Sequence, residues 1–279
     1  MSELIKELQG TKIAIFDLDG VIYRGKDLIP NVDKNIQRLK DKSIKIAYNS
    51  NNSTATRQTY ADLLKKFNIS SKPSDFYTSA SITSEEITRI KPNSNIFVIG
   101  EIGLREELKA KGHKIIHSES DYSKVDFVIV GLDREFNYHN LAMAQRCILE
   151  GKALFYATND DATLPVKNRF LPGAGVMVKA VEVCTGIKPI TTFGKPQPTG
   201  IELILQENNI SPERALMFGD RLNTDIIAGN RAGVKTILVL TGVTSPKMME
   251  EIKNNPNIDK ELLPNMIIDN LDAIFEKKN

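Results

Sequence analysis

KIAIFDLDGVIYRG, residues 12–25, is the stretch on which the reading of this chain turns. Four apolar residues, Ile13 to Phe16, lead directly into two carboxylates, Asp17 and Asp19, one leucine apart, and Gly20 follows at once. An apolar run without polar alternation reads as a strand buried on both faces, the habit of parallel sheets. Two acids at alternate positions of an extended backbone point the same way or nearly so, and like charges repel. A strand that ends by gathering negative charge calls for a reason beyond folding.

The same pattern recurs along the chain. IKIAY (44–48) ends in NSNNS; NIFVIG (95–100), DFVIVGLD (126–133), ALFYATND (153–160), ALMFGD (215–220), KTILVL (235–240) and MIID (266–269) follow. Helical patterns lie between these runs. In PTGIELILQENN, Ile201, Ile204, Leu205 and Asn208 fall on helical spacing, and Pro198 suits the helix start. Strands alternating with helices predict an α/β fold with a parallel sheet. Residues from about 81 to 183 hold three of the strand-like runs with glycine turns, enough for a unit of their own.

Composition narrows the function classes. The 279 residues are 41% hydrophobic and 26% charged, as in ordinary globular proteins, and fit one large domain or two medium ones. Net charge is +2 with Lys and Arg spread along the chain, so no nucleic-acid partner is expected. No run approaches the roughly 18 apolar residues of a membrane span. The start, MSELIKELQGTK, has no apolar core segment, so no secretory leader and a cytoplasmic location are expected. Cys147 and Cys184 are far apart and form no Cys-x-x-Cys pair, which predicts inert thiols in a reducing compartment. With three histidines, a zinc site is not expected, and His113, His117 and His139 read as surface or loop residues.

In a doubly wound sheet, ligands bind beyond the carboxyl ends of the strands. Four polar clusters fall at such ends: Asp17 and Asp19, Ser50 and Asn51, Lys195 in TTFGKPQP, and Asp220 in MFGDRLNTD. Taken singly, each would be a turn, a helix cap or a solvated lysine. Parallel strands would gather them on one edge, with three carboxylates, a hydroxyl, an amide and an ammonium. Crowded carboxylates call for a cation, and hard oxygen ligands with room for water suit Mg²⁺. The set reads as a metal-assisted phosphoryl-transfer site.

In that order the motifs resemble those of the haloacid dehalogenase superfamily, in particular its class IIA, 4-nitrophenylphosphatase-like branch. Asp17-Leu18-Asp19-Gly20-Val21 matches the first motif, Ser50-Asn51-Asn52-Ser53 the second, Gly194-Lys195-Pro196 the third, and Gly219-Asp220 through Asp225 the fourth. Similarity extends into Ala157 to Asp161, Pro172-Gly173-Ala174-Gly175 and Leu240 to Ser245, nearly the whole chain. Two departures stand out. Asn159-Asp160-Asp161 replaces the commoner Asn-Pro-Asp, and Asn49 precedes Ser50 where a small apolar residue is usual, which leaves Ser53 a rival to Ser50 as the phosphate-binding hydroxyl.

The resemblance implies a Rossmann-like, doubly wound parallel core of residues 1–80 and 184–279, with an α/β cap domain of residues 81–183 inserted. It implies a Mg²⁺-dependent phosphatase acting on small phosphate monoesters. Asp17 would be the nucleophile and Asp19 the acid and then the base. Mg²⁺ would be held by Asp17, the Asp19 carbonyl and Asp220, with Asp225 supporting. Ser50, Asn51, Asn52 and Lys195 would bind the phosphate, and Asn159 and Asp161 would meet the leaving group from the cap. An acid at Asp19 disfavours dehalogenation, since a halide leaves without a proton. A phosphotransferase or mutase using the same intermediate stays open, as does a low-turnover phosphometabolite-binding regulatory protein. Some relatives dimerise through the cap, so a homodimer stays open too.

Overall fold

In the computed structural model the described residues are 3–166 and 169–276. In chain order the strands are β1 (Ile13–Phe16), β2 (Tyr23–Arg24), β3 (Asp27–Leu28), β4 (Lys45–Ser50), β5 (Phe76–Thr78), β6 (Asn95–Ile99) and β7 (Lys114–Ile115). They continue as β8 (Phe127–Val130), β9 (Leu154–Ala157), β10 (Thr163–Val166), β11 (Arg169–Pro172), β12 (Ala215–Gly219), β13 (Lys235–Val239) and β14 (Met266–Ile268). The helices are α1 (Val32–Asp41), α2 (Arg57–Lys66), α3 (Ser79–Ile90), α4 (Ile102–Ala110) and α5 (Tyr138–Leu149). After them come α6 (Ala174–Thr185), α7 (Thr199–Asn208), α8 (Ile227–Arg231) and α9 (Pro246–Lys253).

The chain divides into two compact units: Met1–Ser50 with Ala61–Phe76 and Lys195–Asn279, and Asn51–Tyr60 with Tyr77–Gly194. The first is built on a six-stranded parallel sheet in the order β14-β13-β12-β1-β4-β5. Phe16 lies beside Phe218 on β12 and Tyr48 on β4, so the last residue of β1 is flanked on both sides. Every residue of β1 and β12 is buried, as expected for strands covered on both faces. Phe16 and Phe218 stack at 4.6 Å between ring centroids, and Tyr48 and Phe76 at 4.8 Å. Burying each such ring stabilises by roughly 1.5–3 kcal/mol.

The winding of this sheet creates the place for a site. From β1 the chain adds β4 and β5 on one side, then returns to add β12, β13 and β14 on the other. The order therefore reverses at β1 and β12, and the crevice past their carboxyl ends is the topological switch point.

The second unit, the cap domain, has its own four-stranded parallel sheet, β7-β6-β8-β9, and an antiparallel hairpin, β10–β11. Its core gathers Val128, Val130, Met143, Cys147, Phe155 and Val181. The three apolar runs expected in this region are β6, β8 and β9. The short strand β7 and the hairpin escape sequence reading, because two residues show no period and the hairpin contains Pro165 and Pro172. His113, expected at the surface, is buried. Its Nδ1 accepts from the Ser94 N–H at 3.1 Å and its Nε2 lies 2.9 Å from Thr88 Oγ1, so the neutral ring is fully paired. Among the described residues, no helix is long and apolar enough to cross a membrane.

Candidate active site

Each acid sits where an apolar strand runs out. Asp17 is the first residue past β1, and its N–H still donates to Phe218 O at 2.9 Å, so the backbone is held to the sheet while the side chain leaves it. Leu18 turns inward and is buried, while Asp19 faces solvent. Gly20 has φ +90°, and a Cβ there would lie 2.5 Å from Asp220 Oδ2, so glycine is required by both backbone and space. Asp220 is the first residue past β12, and the wide helical turn Leu222–Ile226 brings Asp225 back beneath it. Asp225 Oδ2 accepts from the N–H groups of Asp220 and Arg221, both at 3.1 Å.

Lys195 joins these acids. Its ammonium is buried and donates to Asp17 Oδ1 at 2.6 Å and to the Asn49 carbonyl at 2.8 Å, and it pairs with Asp225 Oδ1 at 2.7 Å. One oxygen from each of Asp17, Asp220 and Asp225 lies within 4.8 Å of the others. Asp220 Oδ2 accepts from Val243 N–H at 2.6 Å, whereas its Oδ1 is buried with no hydrogen-bond partner among the described residues.

The electrostatics follow from this packing. Burial lifts the Asp17 carboxyl to about 7; Asp225 adds to the lift and Lys195 opposes it. Burial lifts Asp220 to about 8, with Asp225 and Asp17 contributing. Burial disfavours the Lys195 charge, but Asp17 and Asp225 outweigh it and hold the amine protonated. Asp19 is also raised by desolvation, against N–H groups of Gly25 and Gly20 and the guanidinium groups of Arg221 and Arg24. Three carboxylates against one ammonium leave negative charge uncompensated. An unpartnered buried oxygen, a hard-oxygen donor set and raised acids all fit a divalent cation.

A second group forms within the cap domain. Asn51 Nδ2 donates to Asp161 Oδ2 at 3.1 Å, and Asn159 Nδ2 donates to the Asn51 carbonyl at 2.8 Å. Asn52 Oδ1 accepts from Thr54 N and Oγ1, closing a tight turn. Ser50 ends β4 beside β1, whereas Ser53 is buried in the cap domain, where a Cβ on Gly131 would lie 2.8 Å from its Oγ.

A family description of haloacid dehalogenase-like hydrolases matches residues 14–114, and one of HAD-hydrolase-like proteins matches residues 192–273. An acid sugar phosphatase of Staphylococcus haemolyticus is 36% identical over 242 residues, 87% of this chain and 90% of that one. A 5'-nucleotidase of Bacillus subtilis is 33% identical over 242 residues, covering 87% and 92%. The solved structure of a p-nitrophenyl phosphatase from Archaeoglobus fulgidus superposes with a TM-score of 0.85 at 30% identity, covering 94% of this chain and 97% of that one.

The chain belongs to the haloacid dehalogenase-like hydrolases. It is a phosphatase-type enzyme of their class IIA, 4-nitrophenylphosphatase-like branch.

For this hydrolase, the third side chain in the acid cluster is Asp225, a residue that the sequence reading gives only a supporting part. Sequence reasoning also misses the glycines that make the cluster fit. A Cβ on Gly242 would lie 1.9 Å from Asp220 Oδ2, and one on Gly219 would lie 2.1 Å from Asp225 Cβ. The stretch from Leu240 to Ser245 shares the family's sequence, yet its residue types alone assign it no role. A conformation-blind reading has no means of seeing that its glycine backs a carboxylate.

Proposed function

We propose that this hydrolase is a Mg²⁺-dependent phosphatase that hydrolyses phosphate monoesters of small metabolites, sugar phosphates and nucleoside monophosphates foremost, through an aspartyl-phosphate. The observation that carries the reading is Asp17: a carboxylate at the switch point, held by Lys195 and clustered with Asp220 and Asp225. Asp17 attacks phosphorus as the bond to the leaving oxygen breaks, which divides a very slow reaction into two steps. Asp19 gives its proton to that oxygen. Desolvation shifts Asp19 in the direction that favours its protonated form, the direction an acid needs. Water then attacks phosphorus, passes a proton to Asp19, and releases Asp17 and inorganic phosphate.

Asp17, the Asp19 carbonyl and Asp220 would hold the cation, and Asp225 braces Asp220 by accepting from its backbone N–H. A divalent cation held there would supply positive charge between the anionic nucleophile and the anionic phosphate. Ser50, the amides of Asn51 and Asn52, and Lys195 donate to the phosphoryl oxygens as charge shifts between them. Residues 81–183 act as the cap that selects the leaving group.

The test is release of phosphate from 4-nitrophenyl phosphate, with Mg²⁺ and with EDTA, by wild type and Asp17→Asn. Release should require the metal and disappear in the variant. Metal-independent release, or a variant with substantial turnover, would sink the reading.

A further inference from the structure

The second-motif residue Asn51 is gripped more completely than a turn residue needs to be. Its carbonyl accepts two side-chain hydrogen bonds, from Ser79 Oγ at 2.6 Å and from Asn159 Nδ2 at 2.8 Å. Its own amide donates to Asp161 Oδ2 at 3.1 Å. Gly194 stands so close that a Cβ there would lie 2.7 Å from Asn51 Oδ1.

The gripping residues are themselves fixed. Ser79 is fully buried at the first turn of α3, behind Thr78, whose hydroxyl caps that helix by accepting from Ser81 N–H. Asn159 Oδ1 accepts from Asp161 N–H at 3.2 Å, while its Nδ2 also reaches Thr158 Oγ1 at 3.2 Å. The Asp161 carbonyl accepts from Gly175 N–H at 2.9 Å. A Cβ on Gly173 would lie 2.1 Å from that carbonyl oxygen, and one on Gly175 would lie 2.4 Å from the Asp160 oxygen. The Pro172-Gly173-Ala174-Gly175 stretch thereby acquires a structural role, since its glycines let the start of α6 close onto the backbone of the Asp160–Asp161 loop.

We propose that Ser79, Asn159 and Asp161 are positioning residues, which lock Asn51 so that the donors following Ser50 are set before substrate binds. The proposal rests on the phosphatase reading above and moves Asn159 and Asp161 from the leaving group to the phosphate-binding turn. The physical argument is short. A trans peptide is planar, so holding the Asn51 carbonyl from two sides fixes the direction of the Asn52 N–H, which points the opposite way. Donors fixed in advance need no reorganisation as charge develops, and that is where such hydrogen bonds gain their effect. Ser79 and Asn159 thus act through Asn51.

The test compares Ser79→Ala with Ser84→Ala in the full-length protein. Both serines are buried on α3; Ser84 Oγ donates to Glu107 O at 2.8 Å and serves as the matched control. Ser79→Ala removes one donor and leaves Asn159 Nδ2 on the carbonyl, so that acceptor stays paired. Against 4-nitrophenyl phosphate with Mg²⁺, its kcat should fall about tenfold with KM changed by less than about threefold, as for a loss felt in the transition state. Ser84→Ala should match it in thermal stability yet keep kcat within about twofold. Hydrogen exchange over residues 49–54 should quicken in Ser79→Ala alone, a readout that does not depend on turnover. Wild-type turnover with equal kcat values in the two variants overturns the positioning role and leaves the phosphatase reading standing. Equal exchange in the two variants overturns the lock itself. A wild type that releases no phosphate overturns the phosphatase reading, and the positioning role falls with it.

Discussion

Lys195→Met removes the one ammonium from the acid cluster and nearly preserves side-chain length. In wild type that ammonium lies 2.6 Å from Asp17 Oδ1 and 2.7 Å from Asp225 Oδ1, and Lys195 and Asp225 are 3% and 1% exposed. Deleting one partner of a buried ion pair leaves an uncompensated charge and costs about 3–5 kcal/mol. The pH dependence gives the sign. Asp17 is held near 7 and Asp220 near 8, above the value of an unfolded aspartate, so the native state binds more protons than the unfolded state between those limits. Stability therefore falls as pH rises from about 4 towards 8. Without Lys195 the carboxyl of Asp17 rises further, so the loss should be larger near pH 8 than near pH 5, where Asp17 and Asp220 carry protons. Urea unfolding in EDTA at the two pH values measures this. Added Mg²⁺ should restore part of the loss at the higher pH, since a cation replaces a cation. A Lys195→Met protein that loses less than about 1 kcal/mol at pH 8, or equal amounts at both pH values, refutes the counter-ion argument.

Three further outcomes follow from the same geometry. Mg²⁺ at a hundred times its Kd should stabilise wild type by about 2.7 kcal/mol, and Asp220→Asn should abolish most of that gain in a thermal-shift titration. Gly242→Ala would put a methyl 1.9 Å from Asp220 Oδ2 and displace the carboxylate, so turnover should fall by about 100-fold or more while circular dichroism shows a folded protein. Asp19→Asn should slow an alkyl phosphate by about 10²–10⁴ but 4-nitrophenyl phosphate much less, because nitrophenolate leaves without a proton; equal losses would count against Asp19 as the acid.

Much of the core is legible because its strands are apolar on both faces. IAIF, ALMFG and KTILV are short runs marked by apolar continuity and by the polar or glycine clusters that close them, and they become β1, β12 and β13. The acids are legible because they interrupt those runs at the carboxyl end. Lys195 is placed by the Gly-Lys-Pro spacing of the resemblance, since a lone lysine before proline has no distinctive local signal. What stays hidden is held in three dimensions. The roles of Ser79, 28 residues from Asn51, and of Gly194 depend on neighbours remote in sequence. The burial of His113 depends on Thr88 and Ser94 in the same way.

The crowding explains why the site takes this form. Gly20, Gly219 and Gly242 each approach Asp220 or Asp225 so closely that a methyl would overlap a carboxylate atom. Small residues there let the protein bury acids against backbone instead of leaving them in water. Burial alone would protonate them, and it does raise Asp17 and Asp220. Lys195 opposes that rise at Asp17 and forms an ion pair with Asp225, while the Oδ1 of Asp220 has no hydrogen-bond partner among the described residues. Of the cluster's buried oxygens without a hydrogen bond, Asp225 Oδ1 has the Lys195 ammonium 2.7 Å away, which leaves Asp220 Oδ1 as the one open to a cation. Of the three acids, Lys195 contacts two with a single positive charge, and the charge left over is what a cation beside Asp220 would meet.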